Sequence, residues 1–212
     1  MNIAFISTES PYDDHSCGIG SYLRAIIPPL VETGNRVFVF SNASRENVFR
    51  TEKGNVTVHH FRLPVLHWYS TKIPGLKKLV PLPLRQIEWS REFYRRVRDF
   101  SKRTKIDVIE GVEAGSLYLN RIAPLVIRLH GSESIFRKHA GIRTDLSVRG
   151  NEALESVSCN RAAVLTTPSK FQAQEICERR GWQPKRVRVI PNPISGEILQ
   201  AARAGRRRSG NL

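Results

Sequence analysis

A doubly wound, parallel α/β sheet is the fold class predicted by two features of this chain. Short apolar runs of strand length recur seven times, over residues 3–6, 36–40, 56–61, 107–110, 125–129, 164–167 and 187–190, and helical patterns separate many of them. Most of these runs also end in glycine, proline or small polar residues. Right-handed crossovers place all such ends on one edge, where open parallel sheets bind ligands. That edge is expected to collect Gly18, Gly20, Glu110, His130, Ser169 and Asn192.

The first run begins almost at Met1 and leads through a polar loop into Gly18-Ile19-Gly20. Leu23, Ile26, Ile27, Leu30 and Val31 then recur at helical spacing, which predicts a helix over 21–32 with Gly34 as its stop. Pro28 and Pro29 fall inside it and are expected to kink or shorten it. Glycines before a helix let a phosphate approach the backbone, and the helix start offers free N–H groups. A tight turn at a helix start explains the same residues without a ligand. The dinucleotide fingerprint needs a third glycine where Leu23 stands, and no acidic residue closes the second strand, since Phe40 leads into Ser41-Asn42.

The run at 36–40 is apolar enough to be buried on both faces, and 56–61 alternates. Residues 63–83, with four prolines, read as a long loop. A helix is predicted over 84–103. Trp89, Phe93, Val97 and Phe100 form its inner face, while Arg91, Arg95, Arg98 and Lys102 lie opposite. That basic face is either solvated or meets anionic lipid headgroups. Further helices are expected over 149–160 and 170–180, the latter stopped by Gly181.

The 212 residues carry a formal net charge of +15, which favours anionic partners. Nucleic acid is disfavoured, because no helix-turn-helix, zinc-finger or ribonucleoprotein signature accompanies the charge. Cys17, Cys159 and Cys177 have no paired spacing and read as free thiols of a reducing compartment. The first apolar run is too short for a signal peptide, and no run reaches the ~18 apolar residues of a spanning helix. A cytoplasmic protein, at most peripheral at the inner membrane face, is expected.

The order of landmarks resembles the N-terminal, acceptor-side domain of the family 4 retaining glycosyltransferases of GT-B fold. The matching pieces are Ile3-Ala4-Phe5-Ile6-Ser7, Gly18-Ile19-Gly20-Ser21-Tyr22, Gly34-Asn35-Arg36-Val37, His130-Gly131, Thr167-Pro168-Ser169 and Val189-Ile190-Pro191-Asn192-Pro193. The resemblance implies that Gly18 and Gly20 approach the donor phosphates, although Cys17 stands where the family often has another glycine. It implies that His130 lies beside the transferred sugar as the catalytic candidate. Glu110, Glu113, Gly131 and Ser169 become candidates for acceptor or sugar contacts. Each has a plainer reading. His130 and Ser169 can simply cap helices, and the two glutamates can be solvated loop acids.

The resemblance covers residues 1–195; residues 196–212, rich in Ala, Gly and Arg, are expected to form a disordered basic tail. In the family, a second Rossmann-like domain follows the Pro-Asn-Pro segment. It brings an Arg, a Lys and a Glu-x7-Glu pair to the nucleotide sugar. No two glutamates here stand eight apart. The resemblance therefore implies an acceptor-binding half, inactive alone. Its partners would be a nucleotide sugar as co-substrate, a glycan or lipid-linked acceptor and a separate C-terminal domain, with no other cofactor and no metal. The alternatives are a non-catalytic carbohydrate- or anion-binding module and an NAD-type Rossmann protein.

Overall fold

The computed structural model describes residues 1–12, 18–42, 47–51, 54–62, 82–131 and 133–194. The basic tail, Cys17 and nearly all of the long loop expected over 63–83 lie outside those residues. The described chain forms an eight-stranded sheet. In chain order the elements are β1 (Asn2–Ser7), α1 (Gly18–Glu32), β2 (Arg36–Asn42), β3 (Asn47–Thr51), β4 (Val56–Phe61), α2 (Leu82–Ser101) and β5 (Val108–Gly111). They continue as β6 (Leu125–Arg128), α3 (Glu133–His139), α4 (Leu146–Arg161), β7 (Val164–Thr167), α5 (Lys170–Arg180) and β8 (Val187–Val189).

The strands lie in the order β3-β4-β2-β1-β5-β6-β7-β8. Every neighbouring pair is parallel except β3 with β4, so seven parallel strands carry one antiparallel edge strand. β1 is the centre. From it the chain first steps outward to β2 and β4, then returns to its other side as β5. The topological switch point therefore lies between the carboxyl ends of β1 and β5.

Strand alternation sends the two faces of β1 to different partners. Ile3 and Phe5 pack with Tyr22, Leu23 and Ile27 of α1, together with Val37, Val39, Val56 and Val58. Ala4 and Ile6 belong to the opposite cluster, with Phe93 and Val97 of α2, Cys159 of α4 and Ile176 and Cys177 of α5. Trp89 and Phe100 pack against this second cluster, as the period of α2 predicts. Each fully buried aliphatic or aromatic side chain contributes roughly 1.5–3 kcal/mol relative to exposure. Cys159 and Cys177 are buried free thiols.

Several boundaries differ from the sequence expectation for identifiable reasons. α1 starts at Gly18, so Gly18 and Gly20 form its first turn and not a turn before it. It also runs through Pro28 and Pro29 to Glu32: the prolines lack N–H donors, but Thr33 N–H still reaches the Pro29 carbonyl at 3.2 Å. β3 is too short to announce itself by alternation and forms by pairing with β4. α4 starts three residues earlier than expected because Asp145 caps it, accepting the Val148 N–H at 2.8 Å. α3 was not expected.

Phe93 links α2 to the site side of the sheet. Its ring meets Phe61 edge to face at 5.0 Å. It also lies 3.1 Å from where a Cβ on Gly115 would stand, in the loop that leaves β5. Phe93→Ala is therefore expected to cost about 3–5 kcal/mol, read as a shift in the urea unfolding midpoint.

Candidate functional site

Glu110 and Arg128 reach the α1 face of the sheet by register. Glu110 pairs with Phe5, whose side chain faces α1, and Val126 pairs with Glu110. Arg128, two residues on, shares that face. Above them lies Tyr22, in the second turn of α1. Its phenol donates to Glu110 Oε1 at 2.7 Å. The Arg128 guanidinium carbon sits 4.3 Å from the centre of the Tyr22 ring, a close cation–π contact. Arg128 is only 3% exposed, and its Nη2 donates to the Ile190 carbonyl at 2.8 Å and to Asn192 Oδ1 at 2.7 Å. The His130 ring completes the group, edge to face with Tyr22 at 5.7 Å. Tyr22, Glu110, Arg128, His130 and Asn192 thus form one connected constellation beside the switch point.

The other expected residues are placed differently. Glu113 is buried beneath the loop after β6. Its Oε1 accepts the backbone N–H groups of His130 at 3.1 Å and Gly131 at 3.4 Å. Gly131 has φ of +118°, and the Phe136 ring lies 3.1 Å from where its Cβ would be, so only glycine fits without strain. Ser169 caps α5, its hydroxyl accepting the Gln172 N–H at 3.1 Å. Gly20 N–H donates to Glu9 Oε2 at 3.0 Å, so a carboxylate of this chain already occupies part of the α1 terminus. Among the described residues, nothing lies within 4 Å of where a Cβ on Gly18 would stand. Among the described residues, no group of three or more His, Cys, Asp or Glu gathers to hold a metal.

The comparisons with known proteins meet this geometry at the family level. The family model of Glycosyltransferase Family 4 matches residues 17–197. The chain belongs to this family. The constellation of Tyr22, Glu110, Arg128 and His130 lies inside the matched region, as do Glu113, Gly131 and Ser169. The fold is a Rossmann-like α/β sheet that matches part of the GT-B glycosyltransferase structures. CalG4, the calicheamicin glycosyltransferase, superposes with a TM-score of 0.53 at 12% identity, over 92% of this chain and 54% of that one. An α,α-trehalose-phosphate synthase (UDP-forming) from Burkholderia xenovorans, solved in complex with glucose-6-phosphate, gives 0.51 at 11% identity, over 84% and 42%. The family 4 chain described here spans about half the length of these structures. No curated protein matches it.

Electrostatics define what this candidate site offers chemically. Burial, with the Arg128 charge nearby, pushes His130 down to about 4. Its imidazole is therefore neutral at pH 7, a hydrogen-bonding group and not a cation. Burial also raises Glu110, against the opposing pull of the Tyr22 hydrogen bond and Arg128. Tyr22 is held well above the ordinary phenol range by burial and then by Glu110, so it remains a donor. The sequence expectation did not single out Tyr22, Arg128 or Glu9. For Arg128 a signal existed, since a lone cation inside the apolar run Leu125-Val126-Ile127-Arg128-Leu129 has to be paired once buried.

The His130 shift has a definite sign. The unfolded chain binds the proton near pH 6.5 and the folded chain only near 4. Stability associated with His130 is therefore intact above pH 6.5 and lost as the pH falls toward 4. An NMR titration of the imidazole is expected to show no transition between pH 5.5 and 8. His130→Gln is expected to flatten the acid limb of the stability profile over that lower window.

Proposed function

We propose that this chain is the acceptor-binding half of a retaining glycosyltransferase, which moves a sugar from a nucleotide sugar to a hydroxyl of a glycan or lipid-linked acceptor. The carrying observation is the constellation at the switch point: a half-buried carboxylate with one oxygen held by Tyr22, beside a neutral imidazole. In this reading Glu110 accepts the acceptor or sugar hydroxyl, with Tyr22 and Arg128 fixing its position. His130 lies against the sugar being transferred and hydrogen-bonds without adding charge. Gly18 and the first turn of α1 face the donor phosphates. Charge that develops on the leaving diphosphate needs fixed donors. Glu9 already takes the Gly20 N–H, so cationic donors from a second, C-terminal domain are required.

The NAD-type reading gains no support. Leu23, where the third glycine of that fingerprint would stand, is a buried core residue 2% exposed. The non-catalytic binding module makes the same contacts without transfer, and the assay separates the two. The 212-residue chain alone, incubated with common nucleotide sugars and glycan acceptors, is expected to release no nucleoside diphosphate above background. Calorimetry or saturation-transfer NMR is expected to detect sugar or nucleotide-sugar binding that weakens at least tenfold in Glu110→Gln and His130→Ala. Turnover by the isolated chain that vanishes in His130→Ala would overturn inactivity alone. Ligand binding unchanged in both variants would overturn the site.

We further propose that the outer face of α2 meets anionic membrane at the inner face of a cytoplasmic membrane. No described helix is long and apolar enough to cross a bilayer, and the contact proposed for α2 is a peripheral one. Supporting it, Arg95, Arg98 and Lys102 are 53%, 52% and 62% exposed. Glu92 and Asp99 neutralise part of this face by pairing with Arg95, Arg96 and Lys102. Each basic residue near an anionic surface contributes about 1 kcal/mol, screened by salt. Co-sedimentation with phosphatidylserine vesicles is expected to fall with salt and to be lost when Arg91, Arg95 and Arg98 become Glu. Retention in that variant, with loss on deleting residues 196–212, would assign the binding to the tail.

A further inference from the structure

Across the carboxyl ends of β6, β7 and β8, the α1 side of the sheet carries three hydrogen-bond donors in a row. Arg128 is in register with Thr166, and Thr166 with Arg188. The residues just before them, Ile127, Leu165 and Val187, lie in the opposite apolar cluster, so strand alternation turns all three toward the α1 side. Neighbouring strands lie about 4.8 Å apart, so the two arginines flank the threonine with backbones about 10 Å from each other. Two such long side chains can converge on one small group over Thr166.

The row lacks a counter-charge. Arg128 is 3% and Thr166 4% exposed. Among the described residues, Arg128 Nε and Thr166 Oγ1 are buried without a hydrogen-bond partner. The hydrogen bonds that Arg128 does make, both from Nη2, go to neutral oxygens: the Ile190 carbonyl and Asn192 Oδ1. Glu110, on the same face, gives Oε1 to the Tyr22 phenol. No carboxylate among the described residues forms an ion pair with Arg128 or with the exposed Arg188. Buried polar groups are nearly always paired, and a buried cation without an anion is costly. A guanidinium fork matches the oxygens of a phosphoryl group.

We propose that Arg128, Thr166 and Arg188 form a subsite for a phosphoryl group carried by a substrate of the sugar site. The assignment deepens the reading of Tyr22, Glu110 and His130 as that site and rests on it. The two are joined by direct contact, since the Arg128 guanidinium carbon lies 4.3 Å from the centre of the Tyr22 ring, whose phenol holds Glu110. Entry is over Asn192, an exposed residue. One phosphoryl oxygen takes the place of the Asn192 amide oxygen on Nη2, because guanidinium binds a charged acceptor more strongly than a neutral one. The bond to Ile190 stays, so the exchange leaves no donor of Arg128 newly unanswered. Thr166 donates to a second oxygen, and Arg188 covers the group from the solvent side.

The test uses the whole chain and needs no transfer. Binding of inorganic phosphate, a hexose phosphate, the unphosphorylated hexose and a nucleoside diphosphate is measured by calorimetry at fixed ionic strength, with amide NMR to locate it. Inorganic phosphate is expected to saturate one site and to shift the amides of Arg128, Thr166, Arg188 and Asn192. Arg188→Gln, at the surface, is expected to weaken it about threefold or more. Asn192→Asp puts a carboxylate of the chain itself on Arg128 and is expected to weaken it about tenfold or more. A control with Arg91→Gln and Arg95→Gln, which removes two charges from the outer face of α2, is expected to leave it unchanged. The hexose phosphate is expected to bind more tightly than either phosphate or the hexose, and to lose that advantage in Asn192→Asp. A nucleoside diphosphate that binds more tightly still, and responds to the same variants, keeps the subsite and assigns its phosphoryl group to the donor. No saturable site, binding unchanged in both Arg188→Gln and Asn192→Asp, or an equal loss in the α2 control overturns the subsite. Phosphate binding that responds to both variants, with no preference for the hexose phosphate and no effect of Glu110→Gln on it, keeps the subsite and overturns the sugar reading instead.

Discussion

Charge withdrawn from water has to be answered by polar partners inside the protein, donors for an anion and acceptors for a cation, and this constraint organises the carboxyl edge of the sheet. Glu113 is answered by backbone N–H groups, Arg128 by a carbonyl, an amide oxygen and an aromatic face, and Glu110 by a phenol. The answers come from the loop after β6, from the segment after β8 and from Tyr22 of α1, which serves both Arg128 and Glu110. The pairings therefore do more than neutralise charge: they specify how α1, the loops after β5 and β6 and the segment after β8 sit against one another. A buried pair of this kind contributes little net stability, because desolvation offsets the attraction, but it makes alternative arrangements costly.

β1 makes this convergence possible. It lies between β2 and β5, with helices on opposite faces, so the chain reverses its direction of progress around it. At such a reversal neighbouring connections leave in opposite directions and open a crevice. Tyr22 enters from the helix after β1, and Glu110 from the neighbouring strand. The pairing of Phe5 with Glu110 puts the carboxylate on the α1 side; a shift of one residue would send it into the opposite apolar cluster.

Much of this was legible in the sequence because buried parallel strands are continuous apolar runs, and the seven that were expected all form. β3 was not, since five residues at a sheet edge carry too little pattern. The cap at Asp145 was missed because the apolar period of α4 is weak in its first turn, and the cap sets the start. The site was legible only as positions. Strand ends identified Glu110 and His130, but nothing local told that Glu113, three residues from Glu110, would turn inward. That depends on α4 and α5 arriving overhead. Likewise Gly18 and Gly20 read as a phosphate turn, whereas Glu9, from the preceding loop, reaches the Gly20 N–H first.

Arg128 shows how one long-range contact joins the site to the end of the sheet. Its guanidinium lies on Tyr22, and the same group holds Ile190 and Asn192, sixty-odd residues later in the chain. The segment that leaves β8 therefore starts from a point set by the ring that fixes Glu110. A movement of that segment must either carry Arg128 with it or break two hydrogen bonds to a buried cation, and the second course is strongly opposed. Any chain or partner that bears on residues 190–194 thus bears on Tyr22 and, through its phenol, on Glu110. The local polar network and the position of the outgoing segment are one mechanical unit, although they lie at opposite ends of the sequence.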